Sequence, residues 1–252
     1  MMNSIILKDR AVLPPGLAEH LAEEMERAEV YQLSRLRPTC CMLDFDAGPD
    51  LIPSVLDMIS ADFRCAKILG SEDGEPWVYL ELDGSVSDLI NARSKIRCAA
   101  AYGNDYRGVV GVWLDVRESF SMHDWKETME FLREVSMTAT VFLFVPAINR
   151  PVIRKELIPY LSDHIILGLK VLGSSRYSVR QMALIAIAYL RALKFEIREE
   201  ERFLLELTAR LARMSPARAR NALLLADYFA RHAVIENGRP VVCPETIAAS
   251  LD

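Results

Sequence analysis

Histidine is scarce in this sequence: His20, His123, His164 and His232 are the four residues, and they lie far apart. The five cysteines (Cys40, Cys41, Cys65, Cys98 and Cys243) are odd in number and hold no C-x-x-C spacing. These shortages argue against a zinc site and against a thioredoxin-like redox pair. Cys40 and Cys41 are neighbours in a strand-like run, where successive side chains face opposite ways, so they do not share a metal. Reduced thiols in a cytoplasmic protein are the expectation. No apolar stretch approaches the roughly 18 residues of a membrane span. The most apolar window, Met182 to Leu190, is closed off by Arg180 and Arg191. The opening MMNSIILKDR lacks the basic region and the apolar run of roughly 7–15 residues that mark a secretory leader, so no leader and no membrane contact are expected. Eleven Gly and twelve Pro, without a repeat, exclude collagen-like and low-complexity classes. G-x-S-x-G, H-E-x-x-H and the kinase motif set do not occur.

What is present is an ordinary globular balance. Of 252 residues, 51% are hydrophobic and 26% charged, which excludes wholesale disorder and supplies a sizeable core. The net charge of −5 makes the whole chain no polycation for nucleic acid. That charge is unevenly spread. Residues 1–175 carry 18 Lys+Arg against 26 Asp+Glu, a net of −8, whereas residues 176–252 carry 12 against 9, a net of +3. Eleven of those last twelve cations are Arg. The break coincides with Leu172-Gly-Ser-Ser175, read as a small-residue linker, so two domains are expected, 1–175 and 176–252.

The first block alternates strands and helices. Apolar runs at Cys40–Asp46, Trp77–Leu82, Val109–Asp115, Thr140–Val145 and His164–Val171 read as five strands. Helical patterns fall between or before them at Leu17–Leu33, Leu51–Phe63, Ser87–Tyr102, Asp124–Val135 and Arg150–Leu161. Asp50 is placed to cap the second of these. Strands joined through helices pair in parallel, and strands apolar on both sides are buried on both faces. An open, parallel five-stranded α/β sheet follows. The second block reads as a small helical bundle. Its helices are Val179–Leu193, Glu199–Met214 with Leu204, Leu205, Leu207 and Leu211 on one face, a third from Ser215 and Pro216 to Arg231, and a short last one from Pro244. Asn237-Gly238 marks a turn before that last helix.

The segment Ser215-Pro-Ala-Arg-Ala-Arg-Asn-Ala-Leu-Leu-Leu-Ala-Asp-Tyr228 resembles the sensor-2 helix of the RuvB branch-migration motor and its clamp-loader relatives. Arg218, Asn221, Leu223, Leu224, Asp227 and Tyr228 hold the matching places. With the exit through Gly238 to the final helix, the likeness spans about 60 residues and extends to the order of elements before it. The chain thus resembles the AAA+ module of P-loop NTPases, which implies an α/β core with a C-terminal all-helical lid. The resemblance also implies that Arg218 reaches nucleotide phosphate from the lid, a role its fork of fixed donors suits. The resemblance further implies that Asp115 stands at the strand end that binds magnesium, a place where it equally serves as a strand-end cap.

Against that pattern, the catalytic parts are eroded. The phosphate loop G-x-x-x-x-G-K-[ST] is absent, and no Gly-Lys dipeptide occurs anywhere. The place after Asp46 reads Ala-Gly-Pro-Asp-Leu-Ile-Pro, with no Lys and with two prolines that donate no N–H. Val116 follows Asp115 where Glu is expected, and Glu118 is offset. Phe142–Pro146 ends the fourth strand without a polar residue, though Asn149 follows closely. No Arg lies just before the fifth strand, only Arg150 and Arg154 upstream. Asp44 and Asp46 fall on one face at the end of the first strand, in a position to hold Mg²⁺ or to stand as solvated acids.

The reading is a catalytically degenerate AAA+-like protein, a structural or regulatory subunit of a larger assembly. Its expected partners are itself or an active AAA+ relative, with nucleic acid through the Arg-rich lid as a further partner. No cofactor is expected; ATP or ADP with Mg²⁺ is the alternative, at Asp115 and Arg218. The competing readings are a divergent ATP-binding ATPase and an unrelated α/β ligand-binding protein. Association is expected through the sheet domain, with Trp125, Met129, Phe131, Tyr102 and Tyr106 as the contact residues.

Overall fold

A computed structural model describes residues 5–9, 12–13, 40–45, 48–62, 77–82, 89–94, 109–115, 121–136, 140–146, 149, 151–152, 155, 169–175, 177–214 and 219–248. The chain divides into two units. One comprises Gly16–Phe45 with Val55–Ser175, the other Met1–Pro15, Asp46–Ser54 and Arg176–Asp252.

The first unit is built on a parallel sheet. Strands β1 (Cys40–Phe45), β2 (Trp77–Leu82), β3 (Val109–Leu114), β4 (Thr140–Val145) and β5 (Leu169–Ser175) lie in the order β2-β3-β4-β1-β5. Helix α1 (Ile52–Asp62) follows β1, and α2 (Met122–Ser136) joins β3 to β4. Alternation along the strands sorts the side chains. Met42, Leu80, Leu82, Val110, Val112, Leu114, Val141, Leu143 and Val145 share one core with Met129, Phe131, Leu132 and Val135 of α2. The intervening positions serve the other face, where Gly111 accepts α1: a Cβ there would stand 2.4 Å from Leu56 Cδ1. Phe45 and Phe144 meet edge to face on that side, centroids 5.1 Å apart. Both faces are therefore covered, which explains why β3 is buried along its whole length.

Two expectations for this unit need correction. Leu172–Ser175 is not a linker: it belongs to β5 and pairs with β1 as far as Phe45↔Ser175. The register steps from Leu43↔Leu172 to Asp44↔Ser174, so Gly173 is the extra residue of a bulge, a place that suits glycine. Small residues mimicked a linker because the strand end bends here. Met129 and Phe131 are not surface donors for association either. They are 2% and 0% exposed, and Trp125 packs half-buried against the same core. Tyr102 and Tyr106 lie outside the described residues, as do 17–33 and 164–168.

In the second unit, α3 (Val179–Ala192) is apolar nearly all round because α4 (Glu200–Arg213) and α5 (Ala219–Arg231) both pack on it. Ser178 and Gln181 close its start as a reciprocal capping box. Phe203, Leu207 and Leu211 are the buried stripe of α4, at intervals of four, and Phe203 meets Phe229 of α5 edge to face. Leu205, expected on that stripe, projects into solvent because it is two residues from Phe203, on the far side of the helix. The N-terminal segment is tied in by Tyr177, whose buried hydroxyl donates to the Val12 carbonyl at 2.6 Å, and by Ser54, which accepts from the Leu7 N–H at 2.9 Å.

This unit is not all-helical. Strands β6 (Glu196–Ile197), β7 (Val234–Glu236) and β8 (Arg239–Val242) form a small sheet in the order β6-β8-β7, before α6 (Pro244–Ala248). The β-branched run Val234-Ile235 and Val241-Val242, folded back at Asn237-Gly238, is long enough for a hairpin, and Glu196-Ile197 pairs beside it. The unit thus runs helix, strand, two helices and a hairpin, with β8 central, antiparallel to β7 and parallel to β6.

Candidate functional site

Asp115 directly follows β3, and its N–H donates to the Leu82 carbonyl at 3.2 Å. The β2–β3 ladder thus runs one step past the strand and fixes the Asp115 backbone, leaving its carboxylate exposed. After β4 the chain turns at Pro146, whose carbonyl accepts the Asn149 N–H at 2.9 Å. That turn directs the buried Asn149 side chain back toward β3. Asn149 Nδ2 donates to Asp115 Oδ1 at 2.9 Å. Because Trp113 of β3 pairs with Phe144 of β4, the two residues meet at the carboxyl ends of adjacent parallel strands. This is where open α/β sheets place their ligand groups.

The chemistry of the pair is positional. An amide donating to a carboxylate holds it in one orientation, a charge-assisted bond stronger than a neutral one. A carboxylate held so suits a hard cation or an ordered water. The residue that follows Asp115 in sequence, Val116, has no side-chain base to offer. Sequence reasoning placed Asp115 here and noted the strand end as lacking a polar residue. Asn149 fills that role from four residues beyond β4, and its polar side chain in an otherwise apolar stretch was the available signal.

The resemblance to AAA+ modules puts nucleotide phosphates at the turn between β1 and α1, where the described residues offer few groups to hold them. Gly48 has φ 86°, and Pro49–Leu51 forms a single 3-10 turn running into α1. Pro49 and Pro53 remove two N–H donors, no Lys or Arg occurs from 48 to 62, and Asp50 adds negative charge. Asp50 does not cap the helix as expected: it sits inside the 3-10 turn, and the cap position is Gly48, without a side-chain bond. Arg218, Asp46, Glu118, Arg150 and Arg154 lie outside the described residues, and so does the side chain of Asp44. Among the described residues no group of three or more His, Cys, Asp or Glu gathers to hold a metal. No described helix is long and apolar enough to cross a membrane.

Of the twelve cations expected to form a basic surface, four arginines are ion-paired among the described residues. Arg191 pairs with Glu200, Arg198 with Glu236, and Arg231 with Asp227 at 2.7 Å. Arg202 joins Glu199, Glu206 and Glu245 at 3.1, 3.0 and 3.3 Å.

Comparison with solved structures places this fold. C. elegans PCH-2 superposes with a TM-score of 0.55 at 10% identity, over 98% of this chain and 71% of that one. Aeropyrum pernix ORC1, solved in complex with DNA, gives 0.50 at 13% identity, over 98% and 67%. Aeropyrum pernix ORC2, solved as ADPNP-ADP complexes, gives 0.55 at 12%, over 97% and 71%. These are AAA+ ATPases, so the chain has an AAA+ fold: an α/β arrangement on a parallel sheet. No protein-family model and no curated protein matches the sequence.

Proposed function

We propose that this chain is a non-hydrolysing AAA+-like subunit, a structural or regulatory part of a larger assembly. One observation carries the reading: the sheet keeps its Asp115–Asn149 pair while the β1–α1 turn has neither lysine nor a full set of backbone donors. Such a site retains the strand-end geometry of an ATPase and has lost the phosphate grip that hydrolysis requires. The proposed partners are proteins, either further copies or an active AAA+ relative, in the cytoplasm. The five-stranded α/β part to residue 175 and the C-terminal part from 176 are proposed to serve as core and lid. If a nucleotide is held at all, Asp115 and Arg218 are its contacts. The test is a melt of the purified protein with and without ATP or ADP and Mg²⁺, beside affinity purification of the tagged chain from its native cell. The reading expects no nucleotide-dependent shift and co-purification of a stoichiometric protein partner. A saturable upward shift, abolished by Arg218→Ala, overturns it in favour of a divergent nucleotide-binding ATPase.

A second reading of the partner, nucleic acid, is favoured by the likeness of the C-terminal element order to a winged helix–turn–helix and by the DNA in the ORC1 structure. The matched arginines weigh against it, since a paired guanidinium has less charge to offer phosphate. Titration of a labelled duplex at two salt concentrations separates the two. Binding that weakens steeply with salt supports a DNA-facing subunit.

A further inference from the structure

The C-terminal sheet ends on an open strand. In the order β6-β8-β7, strand β7 bonds to β8 on one side and, among the described residues, to no strand on the other. The hairpin turns through Asn237 (φ 51°) and Gly238 (φ 77°), the two positive angles of a type I′ turn. Glu236↔Arg239 is then its closing pair, and one step back Ile235 stands opposite Pro240, which has no N–H to give. Pairs in an antiparallel ladder alternate between bonded and non-bonded, so Ile235↔Pro240 is the non-bonded one. The N–H and C=O of Ile235 therefore point away from β8, toward the open edge. Its side chain is 77% exposed and that of Val234 55%. Edge strands are commonly guarded by Lys, Pro or a bulge. β7 has none of these, and only its length of three residues and the charge of Glu236 guard it.

We infer that β7 pairs with β7 of a second copy of this chain, antiparallel, with Ile235 opposite Ile235 across a two-fold axis. A second copy fits because the strand offers one outward pair of backbone groups, at its centre. A two-fold pairing satisfies both pairs at once, each Ile235 N–H donating to the other carbonyl. The register sets Glu236 against Val234 of the second copy, so no like charges oppose one another, and Arg198 already neutralises Glu236. Leu224 and Tyr228, four apart on α5, add exposed apolar surface in the same unit at 60% and 37%. Tyr228 stacks on His232, two residues before the strand. An edge this short buries less than the roughly 1,200 Å² of a standard interface, so the association is weak and depends on concentration.

The test uses the full chain with Ile235→Cys, compared with wild type and with Leu205→Cys, an equally exposed position on α4. Under mild oxidation Ile235→Cys gives a covalent dimer several-fold faster than either control, since bonded antiparallel positions bring Cα atoms to about 5.5 Å. Sedimentation across a hundredfold concentration range gives the non-covalent arm. Ile235→Lys, exposed and therefore tolerated by the fold, shifts the midpoint of self-association upward at least tenfold. Equal cross-linking of the two cysteine variants, or unchanged self-association of Ile235→Lys, overturns the proposal. So does a strictly monomeric wild type, including one that loses duplex DNA binding in Ile235→Lys.

Discussion

Asn149 Nδ2 stands 2.9 Å from Asp115 Oδ1, joining residues at the ends of β3 and β4 that are 34 apart in sequence. The bond is made by one ladder step and one turn. Asp115 is fixed through Leu82, and Asn149 through Pro146. Asn149→Ala removes the one donor to that carboxylate oxygen found among the described residues. Because Asp115 is exposed and rehydrates, the cost is near the lower end for a charged bond, about 1 kcal/mol. Denaturant unfolding checks it, and Asp115→Ala combined with Asn149→Ala should cost less than the two single changes added.

Gly111→Ala should destabilise the α/β unit by about 1–3 kcal/mol through overpacking against Leu56. The clash is with a side chain, so a smaller residue at 56 relieves it. Gly111→Ala made in a Leu56→Ala background should cost much less than in wild type. Equal costs in both backgrounds would show that the contact between β3 and α1 is not what requires glycine.

Lys194 ends α3 with φ 66°, its N–H donating to the Arg191 carbonyl while Phe195 N–H reaches Leu190. This is a helix C-terminal turn that favours glycine, occupied by lysine. Lys194→Gly should stabilise the protein by about 0.5–1 kcal/mol, net of the added freedom of the unfolded chain. A thermal melt checks it, with Lys194→Ala as the neutral comparison.

Asp124 sits in the first turn of α2 and accepts from both the Ser121 hydroxyl and its N–H, at 2.6 and 2.7 Å. These bonds hold its carboxyl below the usual carboxylate range. A depressed folded pKa contributes stability that is present above the unfolded value and fades as pH falls through the folded one. Ser121→Ala should therefore lower the unfolding midpoint at neutral pH, and the gap from wild type should narrow on acidification below about pH 4, leaving the share owed to the cap bond from the Asp124 N–H. A gap independent of pH would contradict the assignment.

The parallel sheet was legible because continuous apolar runs such as Val109–Leu114 have one good solution, burial on both faces. Trp77–Leu82 and Thr140–Val145 match their expected bounds. Leu172–Ser175 misled because a bulge needs the same small residues as a linker. The small C-terminal sheet was hidden because β6 has two residues, too few for a period of two to register, and is defined by its pairing with β8. The strand end that carries Asp115 was legible from the apolar run before it, and Asn149 was noted there only as following closely, since its bond depends on a turn that folds it back onto a neighbouring strand. Trp125 and Phe131 read as surface on a helix whose apolar stripe in fact faces the sheet.

Steady-state ATP turnover by the purified full chain, measured with Mg²⁺ and beside Asp115→Asn, tests the central claim most directly. An AAA+ fold without a phosphate-binding lysine predicts no turnover above the buffer blank, and no difference between wild type and variant. Mg²⁺-dependent hydrolysis that Asp115→Asn abolishes would contradict it.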